Sequence, residues 1–299
     1  MFIGARWFVE ILEKMRIRWG ISGAFAGALI ALATTLPEVC MNISSVTLGV
    51  SNIGLGNSFG SNILNIPILV LIAFFASRIF LKRDLAVARE TIWYHSLPYL
   101  CFIGLVALIT LLPEPLFGFQ WYDGLILALA YILYVKVMIT KGRTKPTHIY
   151  IEPKKKTLAI VGFIILAVSA FFAIVASETI AQMLKINELV AGLFIAAMAS
   201  SLPEALASWH AVRVDQSIAA ATSVIDDNII SITLALVPIT LAATIADLPL
   251  YIVSLIFIAI TGIEYTWFGY SGYHFSVGEV IGLLITYAVY IWIVFYLTL

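Results

Sequence analysis

The sequence predicts an all-α polytopic membrane protein with two inverted repeats and discontinuous helices: about nine spanning helices plus an N-terminal amphipathic or truncated helix. Three observations predict it. Of 299 residues, 62% are hydrophobic and 11% charged, with mean hydropathy +1.04, which leaves too little polar surface to wet a globule of this size. The apolar residues form runs near the roughly 20 residues that a spanning helix needs. One five-residue pattern occurs twice inside such runs, Thr34-Thr35-Leu36-Pro37-Glu38 and Ser200-Ser201-Leu202-Pro203-Glu204. A lipid bilayer is therefore the surrounding medium, and with zero net charge nucleic acid is excluded as a partner.

The chain opens on Arg6, Glu10, Glu13 and Lys14, which interrupt any apolar core of a signal peptide. Phe8, Leu12, Met15 and Trp19 recur at helical spacing, so this stretch reads as an interfacial amphipathic helix or as the end of a truncated spanning helix. Hydropathy then places segments at 20–48, 51–77, 91–112, 121–140, 157–177, 188–212, 217–245, 247–263 and 276–298. With the amino terminus inside, 16 of the 17 Lys and Arg residues are cytoplasmic and only Lys185 is outside, as the positive-inside rule requires. The halves are 1–140 and 157–299, joined by a basic cytoplasmic linker at 141–156. The expected location is the plasma membrane of a prokaryote, as a multi-pass protein.

Cys40 and Cys101 have no partner at metal or redox spacing and read as packing residues. His95, His148, His210 and His274 lie near segment ends or in loops, form no cluster in the sequence and read as local structural residues. Trp121 and Tyr122 sit at a predicted interface, where aromatic belts are expected.

The repeat continues beyond the pentapeptide. Its offset is 200 − 34 = 166, and adding 166 to Ser61-Asn62-Ile63-Leu64-Asn65 lands on Asp227-Asn228-Ile229-Ile230-Ser231. Pro37 and Pro203 cannot donate to the carbonyls of Ala33 and Ala199, so both helices are expected to break there. Thr35 with Glu38, and Ser201 with Glu204, also match a capping box, in which each carboxylate would merely cap the second half of a kinked helix. Burial weighs against that alternative. An ionisable residue deep in a bilayer costs at least about 2.5–3.5 kcal/mol, and here Glu38, Glu204 and Asp226-Asp227 all lie in apolar stretches. Broken helices in corresponding positions of two halves point to a transporter's binding site. Five crossings between Thr34 and Ser200 make the second copy inverted.

The side chains gathered by the repeats are Thr34, Thr35, Glu38, Ser61, Asn65, Ser200, Ser201, Glu204, Asp227 and Ser231. Such oxygen ligands suit hard cations, and several carboxylates together would fill with a divalent ion, monovalent ions or protons. These segments resemble the alpha repeats of the calcium/cation antiporter superfamily, most closely the sodium/calcium exchangers. The resemblance rests on the two pentapeptides, on Gly56-Asn57-Ser58-Phe59-Gly60-Ser61-Asn62-Ile63-Leu64-Asn65 and on Asn228-Ile229. It implies that Glu38 and Glu204 are the central calcium carboxylates. It implies further that Thr34 and Ser200 add hydroxyl or carbonyl ligands, that Thr35 and Ser201 serve sodium, and that the carbonyls of Ala31 and Ala197 ligate. Ser61 and Asn65 match the family's helix of the first repeat.

Three departures stand out, one of them the missing first helix, which reflects either a shortened chain or a changed gating element. Where the family's second repeat usually carries Ser and then, four residues on, Asp, this chain has Asp227 and then Ser231, moving a carboxylate by about 6 Å along one helix face. Gly60 of the first copy becomes Asp226, about 100° from Asp227 on the wheel, where it faces either the ion or another helix. The resulting expectation is a secondary-active antiporter, not an enzyme, with no cofactor, exchanging calcium or a similar divalent cation against sodium by alternating access. Proton coupling and a non-transporting homologue lacking the first helix stand as alternatives. An aspartyl protease fits poorly, because Asp84, Asp123, Asp215 and Asp247 lie at segment ends or in loops.

Overall fold

The structure is a computed structural model that describes residues 31–32, 34–113, 115–141 and 153–298, without the side chains of 153–156 and 159. The expected N-terminal helix, the start of the 20–48 segment, Ala33, most of the 141–156 linker and Leu299 lie outside the described residues.

The described chain is almost entirely helical. Its helices are α1 (Leu36–Thr47), α2 (Ser51–Leu81), α3 (Arg89–Thr110), α4 (Trp121–Lys141) and α5 (Pro153–Leu184) in the first part. They continue with α6 (Glu188–Arg213), α7 (Ser217–Ile232), α8 (Leu248–Gly272) and α9 (Val277–Thr298). From α2 onward, eight helical stretches among the described residues are long and apolar enough to cross a membrane. The protein is thus a multi-pass integral membrane protein. Several helices outrun their sequence-predicted limits: α5 reaches Leu184 instead of 177, and α8 reaches Gly272 instead of 263.

Helix α2 forms the middle of the bundle and packs against α1, α6, α7, α8 and α9. Its approach to α6 depends on small residues. A Cβ added at Gly60 would lie 2.2 Å from the Leu193 carbonyl oxygen, and one at Gly56 would lie 2.3 Å from that of Leu189. From the other side, a Cβ at Gly192 would meet the Ile53 carbonyl at 2.3 Å. The backbones therefore touch through a Gly-x-x-x-Gly face, which brings the polar residues of α2 against those of α6. A smaller apolar cluster, with Cys40, Met41, Leu166, Ala170 and Ile174, packs α1 on α5.

Contacts between chain turns show which ends share a side. The strands β1 (Leu85–Ala86) and β2 (His274–Phe275) pair antiparallel, and Arg83 Nη2 lies 2.7 Å from Asp215 Oδ1. The turns after α2, α6 and α8 therefore lie together. At the opposite end, Ser51 Oγ donates to the Ala242 carbonyl at 3.2 Å. Alternating crossings from α1 to α6 place α1 and α6, which carry the two pentapeptides, in opposite directions.

The expected proline breaks are realised unequally. On the first copy the chain bends at Thr35 and α1 starts at Leu36, with Pro37 in its first turn. On the second copy the break at Pro203 does not occur: Pro203 lies inside continuous helix Ala197–Arg213, preceded by a wide π-helical turn at Gly192–Ala196. A proline removes one hydrogen bond without ending a helix when π adjustments and neighbouring helices accommodate it. The real discontinuity of the second half is in α7, which stops at Ile232 and resumes as a short turn at Leu236–Ile239.

Candidate functional site

Glu38 leaves the first turn of α1 and Asp227 the middle of α7, and both are about 1% exposed. Ser61 of α2 donates its hydroxyl to Glu38 Oε1, and Ser231 of α7 donates to Oε2. The Ser231 oxygen also lies 2.9 Å from the Asp227 carbonyl one turn earlier, so Asp227 and Ser231 share one face of α7 and Ser231 reaches Glu38 from it. Asp227 Oδ1 accepts from Thr34 Oγ1 at 2.8 Å and from Thr35 Oγ1 at 2.9 Å. The Thr35 side chain makes no capping bond and Ser201 lies inside a helix, so the capping-box alternative is not what the structure adopts.

Glu204 of α6 is also buried, and Asn65 of α2 faces it. Asn65 and Thr35 both approach the Glu204 carboxylate. Among the described residues, Glu204 Oε2, both amide atoms of Asn65 and the Ser201 hydroxyl still lack a hydrogen-bond partner of good geometry. Leaving such a group unmade costs about 1–3 kcal/mol, more for a charge, so these oxygens and amides are suited to hold a cation. Hydroxyl donors hold the Glu38 and Asp227 carboxylates, whereas Glu204 Oε2 has no such donor among the described residues.

Ser200 Oγ donates to Asn57 Oδ1 at 2.9 Å, Asn57 Nδ2 to Asn42 Oδ1 at 3.0 Å, and Asn42 Nδ2 to Ser58 Oγ and the Ala235 carbonyl, both at 2.6 Å. The last bond ties α1 to the carbonyl of Ala235, which precedes the short turn Leu236–Ile239. The carbonyls of Ala31 and Ala197 border the cluster: Ala31 accepts from the Thr35 amide at 2.8 Å, and Ala197 lies 3.1 Å from Ser200 Oγ. Among the described residues, no three His, Cys, Asp or Glu side chains are gathered so as to hold a metal ion by themselves. Hydroxyls and amides separate the carboxylates, so any cation here would rely on mixed oxygen ligands.

Sequence reasoning missed several participants. Asn42 sits one turn beyond Glu38 on the same face, a signal that was available. Asn62 and Asn228, related by the 166-residue offset, meet directly: Asn228 Nδ2 donates to the Asn62 carbonyl at 2.9 Å, and Tyr99 OH donates to Asn62 Oδ1 at 2.9 Å. Among the described residues Asp226 makes no hydrogen bond to this cluster and turns to α3 and α4. His95, placed in the sequence as an uninvolved residue, has Nδ1 2.7 Å from Asp226 Oδ1, and Tyr134 OH donates to the same oxygen at 2.6 Å. No local signal in the sequence marks Tyr134.

Comparison with known proteins gives one consistent result. The family model described as sodium/calcium exchanger protein matches residues 1–140 and 156–296. A solved structure of the sodium-calcium exchanger NCX_Mj soaked with sodium and strontium aligns with TM-score 0.69 and 26% identity, covering 97% of this chain and 93% of that one. Uncharacterized membrane protein MJ0091 of Methanocaldococcus jannaschii is 26% identical over 223 residues, 71% of this chain and 68% of the relative. Sodium/calcium exchanger MaX1 of Methanosarcina acetivorans is 29% identical over 137 residues, 46% of this chain and only 37% of its own length.

Proposed function

We propose that this chain, which belongs to the sodium/calcium exchanger protein family, exchanges calcium or a similar divalent cation against sodium by alternating access. The observation that carries the proposal is the meeting of both repeats inside the bundle. Glu38 and the two threonines from the first copy interlock with Asp227 and Ser231 from the second, beside a Glu204 whose Oε2 lacks such a donor among the described residues. In this reading Glu38, Glu204 and Asp227 neutralise the cargo. Thr34, Ser200, Ser61, Asn65 and Ser231 complete an oxygen shell with the carbonyls of Ala31 and Ala197, and Thr35 and Ser201 serve sodium. Mixed carboxylate, hydroxyl and carbonyl oxygens are what calcium accepts, at six to eight ligands.

Exchange follows from the charge count. A site with several carboxylates is costly to leave empty in a low-dielectric interior, so release of one cargo is coupled to entry of another. NCX_Mj and MaX1, which carry sodium/calcium exchanger in their names, support sodium as the counter-ion. The exchanged order of Asp227 and Ser231 favours one second reading, in which the displaced carboxylate takes a proton in sodium's place. Calcium-45 flux in proteoliposomes, driven separately by sodium and proton gradients, distinguishes the two. Uptake under a sodium gradient alone supports the first, uptake under a proton gradient alone the second, and no uptake under either rejects exchange.

A further inference from the structure

Asp226 and Asp227 are consecutive on α7, both about 1% exposed, yet they serve different neighbours. Asp227 Oδ1 is held by Thr34 and Thr35 at the interface of the repeats. Asp226 Oδ1 is held by His95 Nδ1 at 2.7 Å and by Tyr134 OH at 2.6 Å, while its Oδ2 is buried without a partner among the described residues. His95 lies within the π-helical turn Ile92–Ser96 of α3, and the Tyr134 ring stands edge-on to it and to Phe102. One turn before Asp226, Thr222 Oγ1 meets Thr91 Oγ1 at 2.7 Å, a second bond between α7 and α3. The equivalent position of the first copy is Gly60, where a backbone carbonyl of α6 leaves no room for a side chain. A carboxylate here is thus peculiar to the second half, and two side chains from outside the repeat motifs hold one of its oxygens.

We propose that His95 and Tyr134 withhold Asp226 from the cation site, so that α7 offers cargo one carboxylate instead of two, and that His95 is therefore a specificity-determining positioning residue acting through Asp226. This rests on the cation-exchange reading above. A carboxylate released beside Asp227 adds negative charge to the site, which favours a divalent over a monovalent ion.

The test is equilibrium binding of calcium-45 to the purified full chain, with sodium as competitor, in wild type, His95→Gln, Tyr134→Phe, Asp226→Asn and the His95→Gln/Asp226→Asn double variant. His95→Gln is expected to raise the preference for calcium over sodium roughly tenfold, and Tyr134→Phe to shift it the same way by less. Asp226→Asn should leave the preference near wild type and abolish the effect of His95→Gln in the double variant. A shift that persists in the double variant, or no shift in either His95→Gln or Tyr134→Phe, overturns the inference while leaving exchange intact. A wild-type chain that binds neither cation overturns both readings.

Discussion

Thr34 Oγ1 donates to Asp227 Oδ1 at 2.8 Å, joining residues 193 positions apart in the chain and in opposite repeats. The first repeat supplies the donors and the second the acceptor. A carboxylate held this way has two hydroxyl oxygens beside it, so a cation arriving there meets ligands from both repeats at one point.

That relation predicts a cation-dependent stability. Thr35→Val keeps the shape and removes one bond to a charged acceptor, a loss of about 1.5–3 kcal/mol. Thermal unfolding in detergent should show the variant weakened without cation, and calcium should recover more stability in it than in wild type, because the ion replaces the missing donor. An equal deficit with and without calcium would separate the threonine from the cation site.

The order of Asp227 and Ser231 predicts the coupling ion. The double variant Asp227→Ser with Ser231→Asp keeps net charge and helix face while moving one carboxylate by about 6 Å. Its ratio of sodium-driven to proton-driven calcium flux should change, and Asp227→Ser alone should lose more flux. Identical ion dependence in all three proteins would remove Asp227 from the site.

The glycine contact predicts a packing penalty. Gly60→Ala places a methyl group against a backbone carbonyl that cannot rotate away, so it should destabilise by at least about 1–3 kcal/mol. Gly104→Ala, with nothing within 4 Å of its added Cβ, is the matched control. Comparable unfolding midpoints for the two would mean that α2 and α6 are not in backbone contact.

The topology makes a prediction of its own. Impermeant thiol reagents should reach single cysteines placed in the 78–89 loop and in the 141–156 linker only from the cytoplasmic side, and those in the 113–120 loop only from outside. External labelling of the linker would reverse the orientation, although the pairing of β1 with β2 would still hold the turns after α2 and α8 together.

What was legible in the sequence was whatever is costly in an apolar run. Glu38 and Glu204 stood out because a bilayer tolerates a carboxylate only with a reason, and Ser61 and Asp227 followed from the offset between the repeats. Pro203 misled, because a missing amide does not reveal whether neighbouring turns will absorb it. The His95 contact to Asp226 was not legible at all: the residues lie 131 positions apart, and the side of α7 that Asp226 presents depends on how α3 and α4 pack. The approach of Asn65 to Glu204 was likewise hidden, because it exists only once α2 and α6 are packed together.

The central claim is that carboxylates from both repeats together carry the exchanged cation. The most direct measurement is calcium-45 uptake driven by an outward sodium gradient into proteoliposomes, for wild type, Glu38→Gln and Glu204→Gln, each shown to be folded and inserted. Gradient-dependent uptake by the wild type and its loss in both variants are the expected results, since the amide keeps the volume and removes the charge. Wild-type uptake in either variant would contradict that claim.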